Sequence, residues 1–145
     1  MSIKQVSVFV ENKKGKLVEI MQLLAGAGVD IRALSMADTA DYGILRMIVN
    51  DTDKALAALG TAGCVVSVTE VLGVAVSDVP GSFAAAVQAL ADNGVNLEYV
   101  YAFITPQPGY AYVVMRVTDN DAATGILQAN GIRVVDDEEL HRMFS

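Results

Sequence analysis

One cysteine, Cys64, and one histidine, His141, stand in 145 residues. A lone thiol forms no internal disulfide, which fits a reducing compartment. A zinc centre needs three or four clustered Cys, His or carboxylate ligands, and the sequence shows no such cluster. Nucleophilic catalysis needs a nucleophile, a base and an orienting group. Cys64 and His141 lie far apart and follow no local catalytic spacing. A phosphate-binding glycine loop and a dinucleotide fingerprint are both missing. No catalysis, metal or cofactor is therefore expected. Basic charge is also scarce. Residues 1–70 hold seven Lys/Arg against eight Asp/Glu, while residues 71–145 hold three against nine, and the chain carries −7 in all. Such a chain repels phosphate backbones and anionic headgroups, so neither nucleic acid nor membrane is an expected partner. Basic residues interleaved with strand aromatics, the signature of a sheet that binds RNA, are lacking. The most apolar helical stretch, 83–91, is too short to span a bilayer. No basic segment precedes a long apolar run, so no signal peptide is expected, and the cytoplasm is the expected location.

Apolar residues are plentiful, at 53%, and they repeat. With an offset of 66, Val10, Gly15, Gln22, Leu24, Gly28 and Val29 fall on Val76, Gly81, Gln88, Leu90, Gly94 and Val95. Beyond position 40 the offset becomes 68. Tyr42, Val49, Asp51, Asp53, Leu59 and Gly63 then fall on Tyr110, Val117, Asp119, Asp121, Leu127 and Gly131. Ordered identities with a single two-residue step indicate an internal duplication. Its copies are expected as domains over 1–70 and 71–145. A unit of about 70 residues buries only roughly 60–65% of its unfolded surface, so each is marginal alone.

Both copies carry the same element pattern. Residues 3–11 alternate as a strand. Leu17, Ile20, Met21 and Leu24 then share a helix face, as do Phe83, Ala86, Val87 and Leu90. Gly28 and Gly94 stand where a helix ends in a left-handed residue. Strands follow over 29–36 and 44–49, and over 95–103 and 110–117. The second pair is joined through Pro106, Pro108 and Gly109, the first near Asp41 and Gly43. Helices over 53–62 and 121–130 have Asp51 or Thr52 and Asp119 as N-caps. Strands over 64–69 and 132–135 complete the copies. Asp136 and Glu139 resemble a capping box for a last helix over 137–143. The fold class is α+β: two ferredoxin-like βαββαβ units in tandem, with antiparallel sheets packed side by side and helices on one face. No linker composition separates the copies at 69–74, so the last strand of one runs almost directly into the first of the next.

Two positions recur where a ligand is expected. The first is the turn before the first helix: Asn12, Lys13, Lys14, Gly15, Lys16 and Leu17 in one copy, Asp78, Val79, Pro80, Gly81, Ser82 and Phe83 in the other. Glycine admits close approach to the backbone, and the free N–H groups of a helix start favour a carboxylate. Asn12 and Asp78 can equally serve as helix caps, and the lysines as a solvated loop. The second position is the start of the next strand, Asp30-Ile31 and Asn96-Leu97. Asp30 can accept from an ammonium group, and Asn96 can donate and accept. Glu98 is unusual in its apolar run and is a further candidate for lining a pocket. Tyr99 and Tyr101 are expected to pack, and His141 to sit at the surface.

The segments VENKKGKLVEIMQLLAGAGVDIRALS and VSDVPGSFAAAVQALADNGVNLEYVYAF resemble the ACT domain family, small-molecule regulatory modules of amino-acid metabolism. The second keeps a Pro80-Gly81 pair, while the first has Lys14 where the family often has proline. The resemblance implies paired domains joined through strand two. An effector would sit between the glycine turn of one and the polar strand residue of its neighbour. It pairs Asn12 to Leu17 with Asn96 and Leu97, and Asp78 to Phe83 with Asp30 and Ile31. A non-catalytic protein that binds a small molecule, expected to be an amino acid, follows from it; an exposed edge strand invites dimerisation, so a homodimer is the expected assembly. The alternative is a regulatory subunit docking on an amino-acid biosynthetic enzyme.

Overall fold

The computed structural model describes residues 1–11, 13–38, 41–104 and 107–144. The chain divides into two compact units, Lys4–Thr69 and Met1–Ile3 with Glu70–Ser145.

In the first unit, β1 (Ile3–Glu11) leads into α1 (Lys16–Gly26), then β2 (Ile31–Asp38), β3 (Tyr42–Val49) and α2 (Thr52–Thr61). The start of β4 (Val66–Ser77) closes it. The strand order is β2-β3-β1-β4. β1 and β2 both run antiparallel to β3, with Val8 opposite Leu45 and Leu34 opposite Met47. Alternation along β1 puts Val6, Val8 and Val10 on one face, where they meet Ile20 and Leu24 of α1 and Ala55 and Leu59 of α2. Full burial of each such aliphatic contributes about 1.5–3 kcal/mol.

The second unit repeats the plan. The rest of β4 is followed by α3 (Ser82–Asp92), β5 (Leu97–Ala102), β6 (Tyr110–Val117), α4 (Asn120–Ala129) and β7 (Arg133–Val135), with α5 (Asp137–Phe144) added. β4 pairs with β6 and β7, and β6 with β5, all antiparallel. Leu72, Val74 and Val76 meet Leu90, Ala123 and Leu127 in its core.

The caps follow the sequence closely. Asp51 accepts from Lys54 N–H and Asp119 from Ala122 N–H. Gly28, Gly63, Gly94 and Gly131 have positive φ behind their helices. Asp136 accepts from Glu139 N–H. The Glu139 carboxylate pairs with Arg133, leaving only half of the expected capping box.

Strand limits shift. β2 and β5 start two residues later than the pattern suggests, because Val29 and Val95 are buried beneath the helices without joining the ladder. β3 starts earlier, because Gly43 pairs with Val10 and Asp38 rather than forming the turn. The strand expected over 64–69 and the strand opening the second copy are one continuous β4. The turn former Pro106 lies outside the described residues.

Candidate ligand-binding site

At both glycine turns the backbone leaves the strand and enters the helix through a left-handed residue. Gly15 has φ +88° and Gly81 φ +89°. An L side chain there is strained, and that explains glycine at both positions. These glycines are themselves the N-caps, and among the described residues no side chain caps either helix. The capping alternative for Asp78 is thus not what the structure has. Its own N–H donates to Gly109 O at 3.1 Å. Asn12 lies outside the described residues.

Lys16 N–H donates to Lys13 O and Glu19 N–H to Gly15 O; Ser82 N–H donates to Val79 O and Ala85 N–H to Gly81 O. The N–H groups of Leu17 and Val18, and of Phe83 and Ala84, lie between these bonds. Among the described residues none of the four has an acceptor. A Cβ placed on Gly15 or Gly81 meets nothing within 4 Å, so it is the positive φ and not crowding that asks for glycine there. Leu17, Val79 and Phe83 are exposed at these turns, as are Lys14 and Pro80, while Ser82 is half-buried.

The lysines of the first turn are partly committed. Lys13 Nζ lies 2.8 Å from Glu11 and Lys16 Nζ 3.5 Å from Glu19. The hydrogen bond and charge of Lys13 hold the Glu11 carboxyl below its ordinary range, and Lys13 is raised in turn.

The strand starts are pinned. Asp30 N–H donates to Asn50 Oδ1 at 2.8 Å, and Asn50 N–H to Asp30 O at 3.0 Å. In the second copy Thr118 N–H donates to Asn96 O at 3.2 Å. Next to each lies a bulge. Ile31 pairs with Val49 and Ala33 with Ile48; Leu97 pairs with Val117 and Tyr99 with Arg116. Arg32 and Glu98 are therefore the extra residues of matching bulges, which re-aim side chains at strand ends. Arg32 pairs with Asp30 at 3.0 Å, and Glu98 with Arg116 at 3.3 Å. Tyr99 and Tyr101 stack half-buried, 6.4 Å apart, as packing residues.

Within one unit the two candidate positions do not come together. Glu11, before the glycine turn, pairs with Tyr42, whereas Ile31 pairs with Val49 at the other end of β3. Seven strand residues separate them, about 23 Å. The second unit has the same arrangement, with Ser77 opposite Tyr110 and Leu97 opposite Val117.

The sequence reading missed a cleft of about 530 Å³ in the first unit, which includes Lys16 but is walled by Phe9, Tyr42 and Val65. Nothing in a pattern of alternating strands marks these side chains as an open wall. Among the described residues no group of three or more His, Cys, Asp or Glu is placed to hold a metal. No helix among them is long and apolar enough to cross a membrane.

Comparison with known families matches the model of the ACT domain pair over residues 1–144. The chain belongs to the ACT domain pair family. This ACT domain pair is similar to protein BT0572 from Bacteroides thetaiotaomicron, at 36% identity and TM-score 0.90, covering 97% of this chain and 96% of that one. Its fold is also similar to the ligand-free regulatory subunit of aspartate kinase from Thermus thermophilus, at 17% identity and TM-score 0.64, covering 87% and 90%. The corresponding subunit from Thermus flavus aligns at 18% identity and TM-score 0.62, covering 87% and 88%. No curated protein matches this ACT domain pair.

Proposed function

We propose that this ACT domain pair is a non-catalytic regulatory protein that binds an amino acid. The observation that carries the reading is the pair of helix starts, each entered through a left-handed glycine and without a side-chain cap among the described residues. Backbone N–H groups at a helix start suit a carboxylate. The ammonium group then needs an acceptor, and Asp30 or Asn96 supplies one at a strand start. Because those groups lie at opposite ends of each unit, the ligand is held by two units, the turn from one and the strand start from the other. Asn12 to Leu17 work with Asn96 and Leu97, and Asp78 to Phe83 with Asp30 and Ile31. Open strand edges favour pairing with a second copy, so the working form is a homodimer. The lone thiol suits the cytoplasm.

A thermal-shift screen of the common amino acids tests this reading. At ten times Kd a ligand specific for the native state adds roughly 1.4 kcal/mol. For a chain of this size that raises Tm by about 3–5 °C. Absence of any shift at millimolar concentration rejects it. The fold shared with aspartate kinase regulatory subunits favours one further reading, docking on a biosynthetic enzyme. Co-purification of a larger partner with the tagged protein distinguishes that role from a free-standing sensor.

A further inference from the structure

We propose that the cleft at the glycine-turn end of the first unit is a second binding site, for an amino acid with an aromatic or branched apolar side chain. This goes beyond the reading above, because the cleft lies within one unit and uses no strand-start residue.

Its volume, about 530 Å³, falls within the usual range for small-molecule sites. The floor is core: Val10 and Ile20 are buried, with Leu23 half-buried beside them. The wall is apolar and open. Phe9 and Tyr42 are each 46% exposed with ring centroids 5.8 Å apart, and Val65 is 63% exposed. A cluster of this kind, held next to a concavity, gains by covering. The rim carries both signs, from Glu11 and Glu19 on one hand and Lys16 on the other. Their ion pairs, Glu11 with Lys13 and Lys16 with Glu19, are solvent-exposed and so worth little. They exchange readily for the ammonium and carboxylate of a zwitterion whose side chain lies against Phe9 and Tyr42.

The second unit finishes this end with different residues. By the internal repeat, Ala75 stands for Phe9, Ser82 for Lys16, Ala85 for Glu19 and Arg133 for Val65. Arg133 lies over the Tyr110 ring, 5.8 Å from its centroid, and pairs with Glu139 of α5. The second unit thus sets an arginine held by Tyr110 and Glu139 where the first has an exposed valine, and an alanine where the first has Phe9.

Cys64 lines the cleft, is half-buried and is the chain's one thiol, so it reports occupancy directly. The experiment titrates the full chain with L-phenylalanine, phenethylamine and 3-phenylpropionate, following NMR shifts and the rate of Cys64 alkylation by iodoacetamide. L-Phenylalanine is expected to shift Phe9, Leu23 and Val65 and to slow alkylation, and either analogue to bind more weakly. Phe9→Ala with Tyr42→Ala is expected to weaken binding about tenfold, from the apolar area lost. If that variant unfolds, Val65→Glu, at a largely exposed position, makes the same test and is expected to weaken binding likewise. An unchanged alkylation rate with L-phenylalanine at millimolar concentration overturns the site. Shifts confined to Gly15, Leu17, Gly81 and Asn96 also overturn it, while leaving the proposed function standing.

Discussion

The first and second units share an element order, a bulge and a left-handed glycine, yet they differ in how their glycine-turn ends are finished. The first unit carries Lys13, Lys14 and Lys16 in its turn and leaves Phe9, Tyr42 and Val65 exposed. The second carries Asp78 and Pro80, no lysine, and an added helix whose Leu140 is buried and whose Glu139 holds Arg133. What stays constant across the duplication is backbone geometry. What varies is the charge and the cover around it. Geometry that survives while its surroundings diverge is the part shared by both candidate ligand anchors.

Equal cores are the first thing to break. Leu24 and Leu90 hold the same place in the two units, each 1% exposed. Leu24→Ala and Leu90→Ala are each expected to cost about 2–5 kcal/mol. Urea denaturation of both variants measures the costs, and hydrogen exchange shows which amides lose protection. Loss confined to Lys4–Thr69 in the first variant and to the other unit in the second separates their stabilities.

The turns come next. Gly15→Ala and Gly81→Ala each force an L residue into the left-handed region, at roughly 1–2 kcal/mol. Equal costs in the two variants confirm equal backbone demands. A much smaller cost in one shows that its turn relaxes. Cap removal is a smaller effect that sharpens the contrast. Asp51→Ala and Asp119→Ala are expected to cost about 1 kcal/mol each, whereas Asp78→Ala, at a side chain that caps nothing, is expected to stay within about 0.5 kcal/mol.

The smallest expected effect is confined to the first unit, since Ser77 replaces Glu11 in the second. Lys13 depresses the Glu11 carboxyl. A carboxyl depressed in the folded state stabilises above its unfolded pKa, and that contribution is lost as pH falls through the folded value. Lys13→Ala is expected to return the Glu11 carboxyl toward the ordinary range and to reduce this pH dependence, with Lys16 leaving a remainder. A carbon-detected NMR titration of Glu11 reads it directly, and an unchanged midpoint contradicts the assignment.

Much of the fold was legible because its signals are local. Helix faces came from 3.6-residue spacing at Ile20 and Leu24, and helix starts from Asp51 and Asp119. The duplication added a second reading of every element. The bulges at Arg32 and Glu98 were not legible, because register is a property of two strands and one strand's alternation does not contain it. The glycine turns were visible as motifs, but whether Asp78 caps α3 depends on where its backbone goes, and it goes to Gly109. The cleft beside Cys64 was hidden for a similar reason. Phe9 belongs to the same alternating strand as Val8 and Val10, and only packing decides which face receives a cover.

The matching bulges carry a consequence for how such a protein can be retuned. A residue squeezed out of the ladder leaves the strand pairs on either side in register, yet its charge is answered by a neighbour, Arg32 by Asp30 and Glu98 by Arg116. The first copy places an arginine there and the second a glutamate, at the same point beside the strand start. Polarity near that point can therefore be inverted when the answering charge, Asp30 or Arg116, changes with it, while every neighbouring strand pair keeps its register.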